Sequence, residues 1–235
     1  AVWPEPGGGT VLKATARMIA DPLLDNMKGG HCFGMGIVGM RLFEEIPLSN
    51  GAVGVAGVDP TAAEAIDLQK FQLRNPITVD MARQFTSVDL YSAILASGAA
   101  GPTAAFGEIL DVFDNGDTIP VLGLQGRDGS GGHAVSPYAI TDQGGGVVLL
   151  HVWDNNFPDN AELAVEIDLV FDTWRFVSIG PRDTPYPEFN GDATTGNFGY
   201  VTWEMLENYQ PSTRPGMIRV QASEDNQLMV LAEDG

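Results

Sequence analysis

The sequence predicts an α+β fold, with helices in its first half and an antiparallel sheet in its second. Helical spacing of apolar residues dominates as far as residue 113, and short apolar runs separated by glycine-rich turns follow from residue 118. The 235 residues, of which 44% are hydrophobic, are enough for a domain with a substantial core. We therefore expect a helical part over 10–113, a β part over 118–180 and a β-rich C-terminal extension over 181–235.

The helical part follows a short arm rich in proline and glycine. Apolar residues recur at helical spacing over 10–24, and the run over 32–43 is apolar on every side, which is typical of a buried central helix. Three further helices are expected over 60–73, 77–97 and 102–113. The first of these has proline at its first helical position, after an aspartate that can cap it.

The β part contains five strand candidates separated by turn sequences. They cover residues 119–124, 133–141, 147–153, 164–171 and 174–179. Glycines at 144–146 predict a tight hairpin between the second and the third strand. In the extension, a short helix is expected over 203–208 and two strands over 217–221 and 227–232.

A strong negative charge limits the kinds of partner. The chain has 12 Lys+Arg against 31 Asp+Glu, a formal net charge of −19. Such a chain repels the phosphates of nucleic acids and of anionic lipids, so we expect neither nucleic acid nor an anionic membrane surface as a partner. We also expect no membrane insertion, because no apolar stretch reaches the roughly 18 residues that span a bilayer.

Two features bear on the cellular setting. The first residue is Ala1 rather than methionine, and no signal peptide is recognisable in the first 30 residues, so we expect the chain to be part of a larger polypeptide. The acidity is typical of proteins that stay soluble in a salty or extracellular medium. An extracellular or cell-surface location is therefore favoured.

The single cysteine is the most informative residue. Cys32 follows two glycines at the predicted start of the helix over 32–43, and it has no second cysteine with which to form an internal disulfide. At the start of a helix, free backbone N–H groups and the positive end of the helix dipole favour a thiolate. This position indicates a nucleophile rather than a buried apolar residue.

A histidine and a carboxylate stand at the ends of two predicted strands. His133 begins the second strand of the β part and Asp154 follows the third, so the hairpin between these strands is expected to bring them together. The other histidines fit less well, because His31 adjoins the cysteine and His151 points to the opposite face from Asp154. Cys32, His133 and Asp154 have the chemistry of a nucleophile, its general base and the residue that orients the base.

Three segments resemble the papain-like cysteine peptidase superfamily, in particular bacterial members akin to leader-processing peptidases. They are Gly-His-Cys-Phe-Gly-Met at 30–35, Gly-His-Ala-Val-Ser-Pro-Tyr-Ala-Ile at 132–140 and Val-Trp-Asp-Asn-Asn-Phe-Pro at 152–158. The resemblance implies an N-terminal helical subdomain, led by the cysteine helix, packed on a C-terminal antiparallel β-sheet. It covers about residues 27–179 and leaves 181–235 outside.

The resemblance also implies an activity. It points to a thiol-dependent hydrolase, a cysteine peptidase that cleaves a peptide or protein substrate through an acyl-enzyme, with Cys32 as nucleophile, His133 as general base and acid, and Asp154 as the orienting residue. In these enzymes a glutamine six residues before the cysteine helps to bind the oxyanion. Asn26 stands at that position, an amide one methylene shorter. No metal and no organic cofactor are implied.

Three other interpretations stay open. The same residue types serve acyl transfer to an amine in transglutaminase-like enzymes. The domain could also be an inactive papain-like binding or structural module of a larger surface protein, with Cys32 merely buried. Finally, two acidic runs could ligate Ca²⁺, although neither has a complete loop with a closing glutamate: Asp111, Asp114 and Asp117, and Asp154, Asn156 and Asp159.

Overall fold

A computed structural model describes residues 2–4, 10–12, 30–48, 71–208, 218–222 and 228–232. Its helices are α1 (Cys32–Phe43), α2 (Phe71–Thr86), α3 (Val88–Ala99), α4 (Pro102–Asp114) and α5 (Trp203–Asn208). Its strands are β1 (Val2–Pro4), β2 (Thr10–Leu12), β3 (Val121–Leu124), β4 (His133–Gly144), β5 (Val147–Trp153), β6 (Leu163–Asp168), β7 (Thr173–Ser178), β8 (Asn190–Asp192), β9 (Phe198–Val201), β10 (Ile218–Ala222) and β11 (Leu228–Ala232). Helices and antiparallel strands are mixed as predicted, and the α+β class is confirmed.

Seven strands form one sheet in the order β8-β7-β6-β5-β4-β3-β9, and every neighbouring pair is antiparallel. The sheet is nearly closed, because the side chain of Asn197, just before β9, joins its two ends. Its Nδ2 donates to the carbonyl of Asn190 on β8 at 2.9 Å and to that of Gln125, just after β3, at 2.8 Å. The pairs β1–β2 and β10–β11 are separate antiparallel hairpins.

The large sheet extends beyond the boundary expected after residue 180. Strands β8 and β9 both lie in the expected extension, yet β8 pairs with β7 and β9 pairs with β3. Residues 190–201 therefore share one sheet with the predicted peptidase domain. The boundary at 180 does not separate two sheets.

The helical part differs from the prediction in three places. Residues 10–12 form β2, paired with β1, where a helix was expected, because Thr10 and Val11 are β-branched and pair readily with a neighbouring strand. The helix predicted over 77–97 is two helices, since Ser87 has an extended backbone and its Oγ caps α3 by accepting from the N–H of Leu90 at 3.2 Å. Pro76 lies inside α2, although the prediction placed it between the helices expected over 60–73 and 77–97.

Most of the remaining elements agree with the prediction. Strand β5 has the predicted bounds, and β4, β6 and β7 begin at or within one residue of the expected start. The predicted helix over 102–113 corresponds to α4, that over 203–208 to α5, and the last two predicted strands to β10 and β11. The helix expected over 60–73 lies mostly outside the described residues, and so does the part of 10–24 beyond residue 12.

Helix α1 is packed on two sides through its glycines. A Cβ added at Gly34 would lie 2.0 Å from the carbonyl oxygen of Ile77 on α2, so only glycine permits this approach. On the other side, a Cβ at Gly36 would lie 3.1 Å from a methyl group of Val121 on β3. Because the next residue, Ile37, is also fully buried, α1 is held closely between α2 and the sheet.

A buried ion pair also joins the helices. Asp80 on α2 is fully buried and lies 3.2 Å from Arg83 of the same helix, with Arg41 of α1 at 3.8 Å. Burial raises the pKa of Asp80, and the two guanidinium groups oppose that change. The guanidinium of Arg83 also donates to the backbone carbonyl of Leu206 on α5 at 2.5 Å, so three helices meet here.

A helix that crosses a membrane must be both long and apolar enough to span the bilayer. None of the described helices alone meets both requirements. Only the stretch Asp89–Ala99 taken together with Pro102–Asp114, across a bend of 116°, reaches the required length and composition.

Candidate functional site

The three residues predicted to act together lie at the ends of three elements. Cys32 is the first residue of α1, His133 is the first residue of β4, and Asp154 directly follows β5. Strands β4 and β5 are antiparallel, and their pairing ends at Ser136 opposite Trp153. The start of β4 therefore lies beside the residues that follow β5, and the structure brings His133 and Asp154 together.

The imidazole and the carboxylate are in direct contact. Nε2 of His133 lies 2.8 Å from Oδ1 of Asp154, and the same oxygen accepts the backbone N–H of Asn156 at 2.8 Å. His133 is 7% exposed and Asp154 is 0% exposed. A buried pair with this geometry fixes the orientation of the imidazole ring.

Cys32 is half-buried, and it lies close enough to His133 to influence the protonation of the imidazole ring. Because Nε2 faces Asp154, Nδ1 is the nitrogen left for the thiol. Burial lowers the pKa of His133, but the hydrogen bonds and negative charges of Asp154 and Cys32 outweigh burial and raise it to about 9. The ring is therefore an imidazolium at neutral pH, and an adjacent imidazolium stabilises a thiolate.

Asn155 connects the elements that carry the cysteine and the histidine. Its Nδ2 donates to the carbonyl of Cys32 and to that of Ala134, each at 3.2 Å. One side-chain amide thus fastens the first turn of α1 to the start of β4. Sequence reasoning did not single out this residue, although it directly follows Asp154.

Two aromatic rings cover the imidazole, and both belong to the segment beyond residue 180 that was expected to be an extension. The ring of Tyr186 lies 5.0 Å from that of His133, and the ring of Phe189 lies 6.4 Å away and nearly parallel to it. Phe157 packs edge-on against Tyr186 at 5.7 Å. Sequence reasoning missed both covering residues, because nothing in the sequence shows that the chain beyond 180 returns to this sheet.

A cleft of about 530 Å³ opens beside Cys32 and His133. Most of its wall is apolar and is contributed by α1, α2 and α3: Phe33, Met81, Phe85, Tyr91, Ile94 and Leu95. Glycines form much of the rest: Gly30, Gly98, Gly123, Gly131, Gly132, Gly196 and Gly199. Among the described residues that line the cleft there is no Asp, Glu, Lys or Arg, although the whole chain is strongly acidic.

The other candidate residues lie elsewhere. Asn26, the expected oxyanion donor, is outside the described residues. His31 precedes α1, and burial lowers its pKa. His151 bonds Oγ1 of Thr141 through Nε2 at 2.8 Å, away from the pair formed by His133 and Asp154. In the part of the chain that the structure describes, no three His, Cys, Asp or Glu side chains are grouped so that they could hold a metal ion.

The arrangement combines a thiol, an imidazolium and a buried carboxylate at the edge of a cleft whose other described lining residues carry no charge. A thiol in this setting can attack an electrophilic carbon, and the imidazole can give and take the protons that such a reaction moves. Comparison of the chain with models of protein families, with curated proteins and with solved structures finds no match.

Proposed function

We propose that the chain is a thiol-dependent hydrolase of the papain-like type, and that it cleaves peptide bonds through an acyl-enzyme. The observation that carries the proposal is the 2.8 Å hydrogen bond between His133 and Asp154, next to a cysteine at the start of a helix. A thiol nucleophile, an adjacent base and a carboxylate that orients the base are a combination that supports nucleophilic catalysis. The cysteine on a helix and the histidine on an antiparallel sheet support the papain-like type.

The first half of the reaction forms the acyl-enzyme. The thiolate of Cys32, stabilised by the imidazolium of His133, attacks the carbonyl carbon of the scissile bond, and the carbonyl electrons move to the oxygen. The backbone N–H of Cys32 has no partner within the first turn of its helix and is suited to bind that oxyanion, with Asn26 as the expected second donor. As the carbon–nitrogen bond breaks, His133 gives its proton to the leaving amine.

The second half releases the product. Neutral His133 takes a proton from water, the water oxygen attacks the thioester carbon, and the carbon–sulfur bond breaks. The carboxylic acid leaves, and the thiolate and imidazolium are restored. In both halves Asp154 accepts a hydrogen bond from Nε2 and stabilises the positive form of the ring.

The cleft supports an uncharged, apolar segment of a polypeptide as the substrate. A charged side chain in the cleft would lose water, and apart from the Cys32 and His133 pair no described lining residue carries a charge that could compensate for that loss. Apolar side chains can instead pack on Phe85, Tyr91 and Leu95, which are exposed in the free protein. Glycines around the cysteine leave room for the backbone of the substrate.

The presence of only one cysteine makes the test direct. p-Nitrophenyl acetate offers an activated acyl group, release of nitrophenolate reports turnover, and the intact mass reports an acetyl group on Cys32. We expect the wild-type chain to be acylated and then deacylated, Cys32→Ala to show neither step, and His133→Ala to be slower by about 100-fold or more. His151→Ala is the matched control and keeps the wild-type rate.

Thiol reactivity and product analysis decide between the proposal and its alternatives. Cleavage of an unlabelled peptide mixture, followed by mass spectrometry, supports hydrolysis of peptide bonds, whereas transfer of the acyl group to added glycinamide in place of hydrolysis indicates an acyl transferase. The proposal fails if Cys32 reacts with iodoacetamide as an ordinary thiol and His133→Ala leaves that rate unchanged. That result would favour an inactive binding module.

A further inference from the structure

Tyr186 lies in the segment between β7 and β8, outside the range expected to form the site. Its ring packs against that of His133, with 5.0 Å between the centroids. Three phenylalanines hold the tyrosine ring from other sides: Phe157 at 5.7 Å, Phe176 at 5.3 Å and Phe189 at 5.0 Å. The position of the hydroxyl group is therefore fixed by the packing of the ring.

The hydroxyl of Tyr186 lies at the junction of the imidazole and the carboxylate. Its oxygen accepts a hydrogen bond from Nδ2 of Asn156 at 2.9 Å and is 3.4 Å from Nε2 of His133. Since Nε2 already donates to Asp154, and Nδ2 of Asn156 is itself a donor, neither group is free to accept the phenol proton. The acceptor that remains beside the hydroxyl is the carboxylate of Asp154.

One oxygen of that carboxylate is available. Oδ1 of Asp154 accepts from His133 and from the backbone of Asn156, whereas Oδ2 is buried and is left without a hydrogen-bond partner among the described residues. Burial of the phenol is the largest cause that raises the pKa of Tyr186 to about 12, with a further contribution from Asp154. The phenol therefore keeps its proton at any pH at which the site works, and it is a permanent donor.

We propose that Tyr186 is a positioning residue whose hydroxyl group donates to Oδ2 of Asp154 and so holds Oδ1 towards Nε2 of His133. The role rests on the proposed function, because the imidazole then presents its other nitrogen to Cys32. Within the part of the chain that the structure describes, the titratable groups that face His133 are Cys32 from α1, Asp154 after β5 and Tyr186. A hydrogen-bond donor on Oδ2 also reduces the negative charge on Oδ1. The carboxylate then stabilises the imidazolium less, and the pKa of His133 is lower than it would be without the donor.

Tyr186→Phe tests the role, because it keeps the packed ring and removes only the hydroxyl. The pKa of His133 is read by NMR from its imidazole C–H signal, which is assigned with His133→Ala. We expect Tyr186→Phe to raise this pKa by about half a unit to one unit and to lower kcat for p-nitrophenyl acetate by roughly 3- to 10-fold, with little change in KM. Tyr138→Phe, in which an exposed tyrosine loses a hydroxyl that faces the carbonyl of Ala161, is the control and changes neither value.

The outcomes separate this inference from the proposed function. A Tyr186→Phe variant that loses thermal stability but keeps the wild-type pKa of His133 and the wild-type kcat overturns the positioning role and leaves a packing role only. If the wild-type chain fails to turn over any acyl donor, the proposed function fails instead. The NMR titration then still reports whether the hydroxyl acts on the pair formed by His133 and Asp154.

Discussion

The side-chain amide of Asn155 donates to the backbone carbonyl of Cys32 at 3.2 Å, although the two residues are 123 positions apart in the chain. The same amide donates to the carbonyl of Ala134, next to His133. The proposed nucleophile and its proposed base are thus linked through the backbone of their elements by a third residue. The distance between thiol and imidazole depends on this link as well as on core packing.

Replacing Asn155 tests that link. In Asn155→Ala two carbonyl groups lose their donor, so we expect the free energy of unfolding to fall by about 1–3 kcal/mol. We also expect kcat for p-nitrophenyl acetate to fall by roughly 10-fold, because small displacements of reacting groups slow catalysis. Urea unfolding and steady-state kinetics measure the two effects. Asn208→Ala, which removes an exposed amide on α5 that bonds Glu204, changes neither, and equal losses in both variants would contradict the role of Asn155.

The raised pKa of His133 predicts how stability depends on pH. The folded-state pKa is about 9, against an ordinary value of 6.5, so the folded state holds this proton more tightly than the unfolded state does. The contribution to stability is fully present below pH 6.5 and is lost as the pH rises through about 9. Thermal unfolding across this range measures the loss.

The same pKa predicts an alkaline limit of activity. We expect kcat/KM to fall above about pH 9, where His133 loses the proton that stabilises the thiolate. Asp154→Asn removes the negative charge that raises this pKa, so the alkaline limit moves to lower pH. Asp159→Asn, an exposed carboxylate in the same loop, keeps the wild-type limit. An alkaline limit that is the same in Asp154→Asn and in the wild type would rule out this assignment of the titrating group.

The apolar cleft predicts a preference for apolar acyl groups. We expect kcat/KM for p-nitrophenyl hexanoate to exceed that for the acetate, because each methylene that leaves water contributes about 0.8 kcal/mol. Leu95 lines the cleft and is 55% exposed, so Leu95→Asp reduces this preference by roughly 3- to 10-fold and leaves the acetate rate nearly unchanged. Val170→Asp alters an exposed residue outside the cleft lining and keeps the preference. Equal hexanoate rates in the wild type and in Leu95→Asp would show that the acyl chain does not bind here.

The glycines of two helices predict opposite effects of the same substitution. Gly34→Ala forces a Cβ within 2.0 Å of the backbone of Ile77, so α1 and α2 must separate, and we expect a loss of about 2–4 kcal/mol in the free energy of unfolding. Gly107 lies on the exposed side of α4, and a Cβ added there would have nothing within 4 Å, so we expect Gly107→Ala to stabilise the protein by about 0.5–1 kcal/mol. Urea unfolding compares the two variants. A neutral Gly34→Ala would contradict the close approach of the two helices.

Local patterns in the sequence were sufficient for part of this structure. The apolar run of α1, the glycines between β4 and β5, and the strand-end positions of His133 and Asp154 each depend on a few neighbouring residues, and the predictions drawn from them agree with the structure. Two other features could not be predicted in this way: the break at Ser87 and the continuity of α2 through Pro76. At each position the local preference for continuing a helix and the preference for ending it are both weak, and the packing of the helices decides between them.

Local patterns in the sequence do not predict which strands pair when they are far apart in the chain. The sequence near Phe198 indicates no particular partner, yet β9 pairs with β3, and the segment that carries Tyr186 reaches His133 only because the sheet curls on itself. Two register irregularities in β4, between Pro137 and Ala139 and between Asp142 and Gly144, also follow from the fit of whole strands. The parts of the candidate site that could be predicted are those carried by single elements, and the parts that could not are those that distant segments add.

The pairing of β9 with β3 has a consequence for biosynthesis. A chain emerging from the ribosome exposes Cys32 long before β9 has been made, and the wall of the cleft that contains Gly199 and Tyr200 forms only after β9 joins the sheet. Closing such a long loop is slow compared with forming helices or the hairpin of β4 and β5. The thiol proposed as nucleophile is therefore present early in synthesis, but the surface that would hold a substrate against it is completed among the last steps of folding.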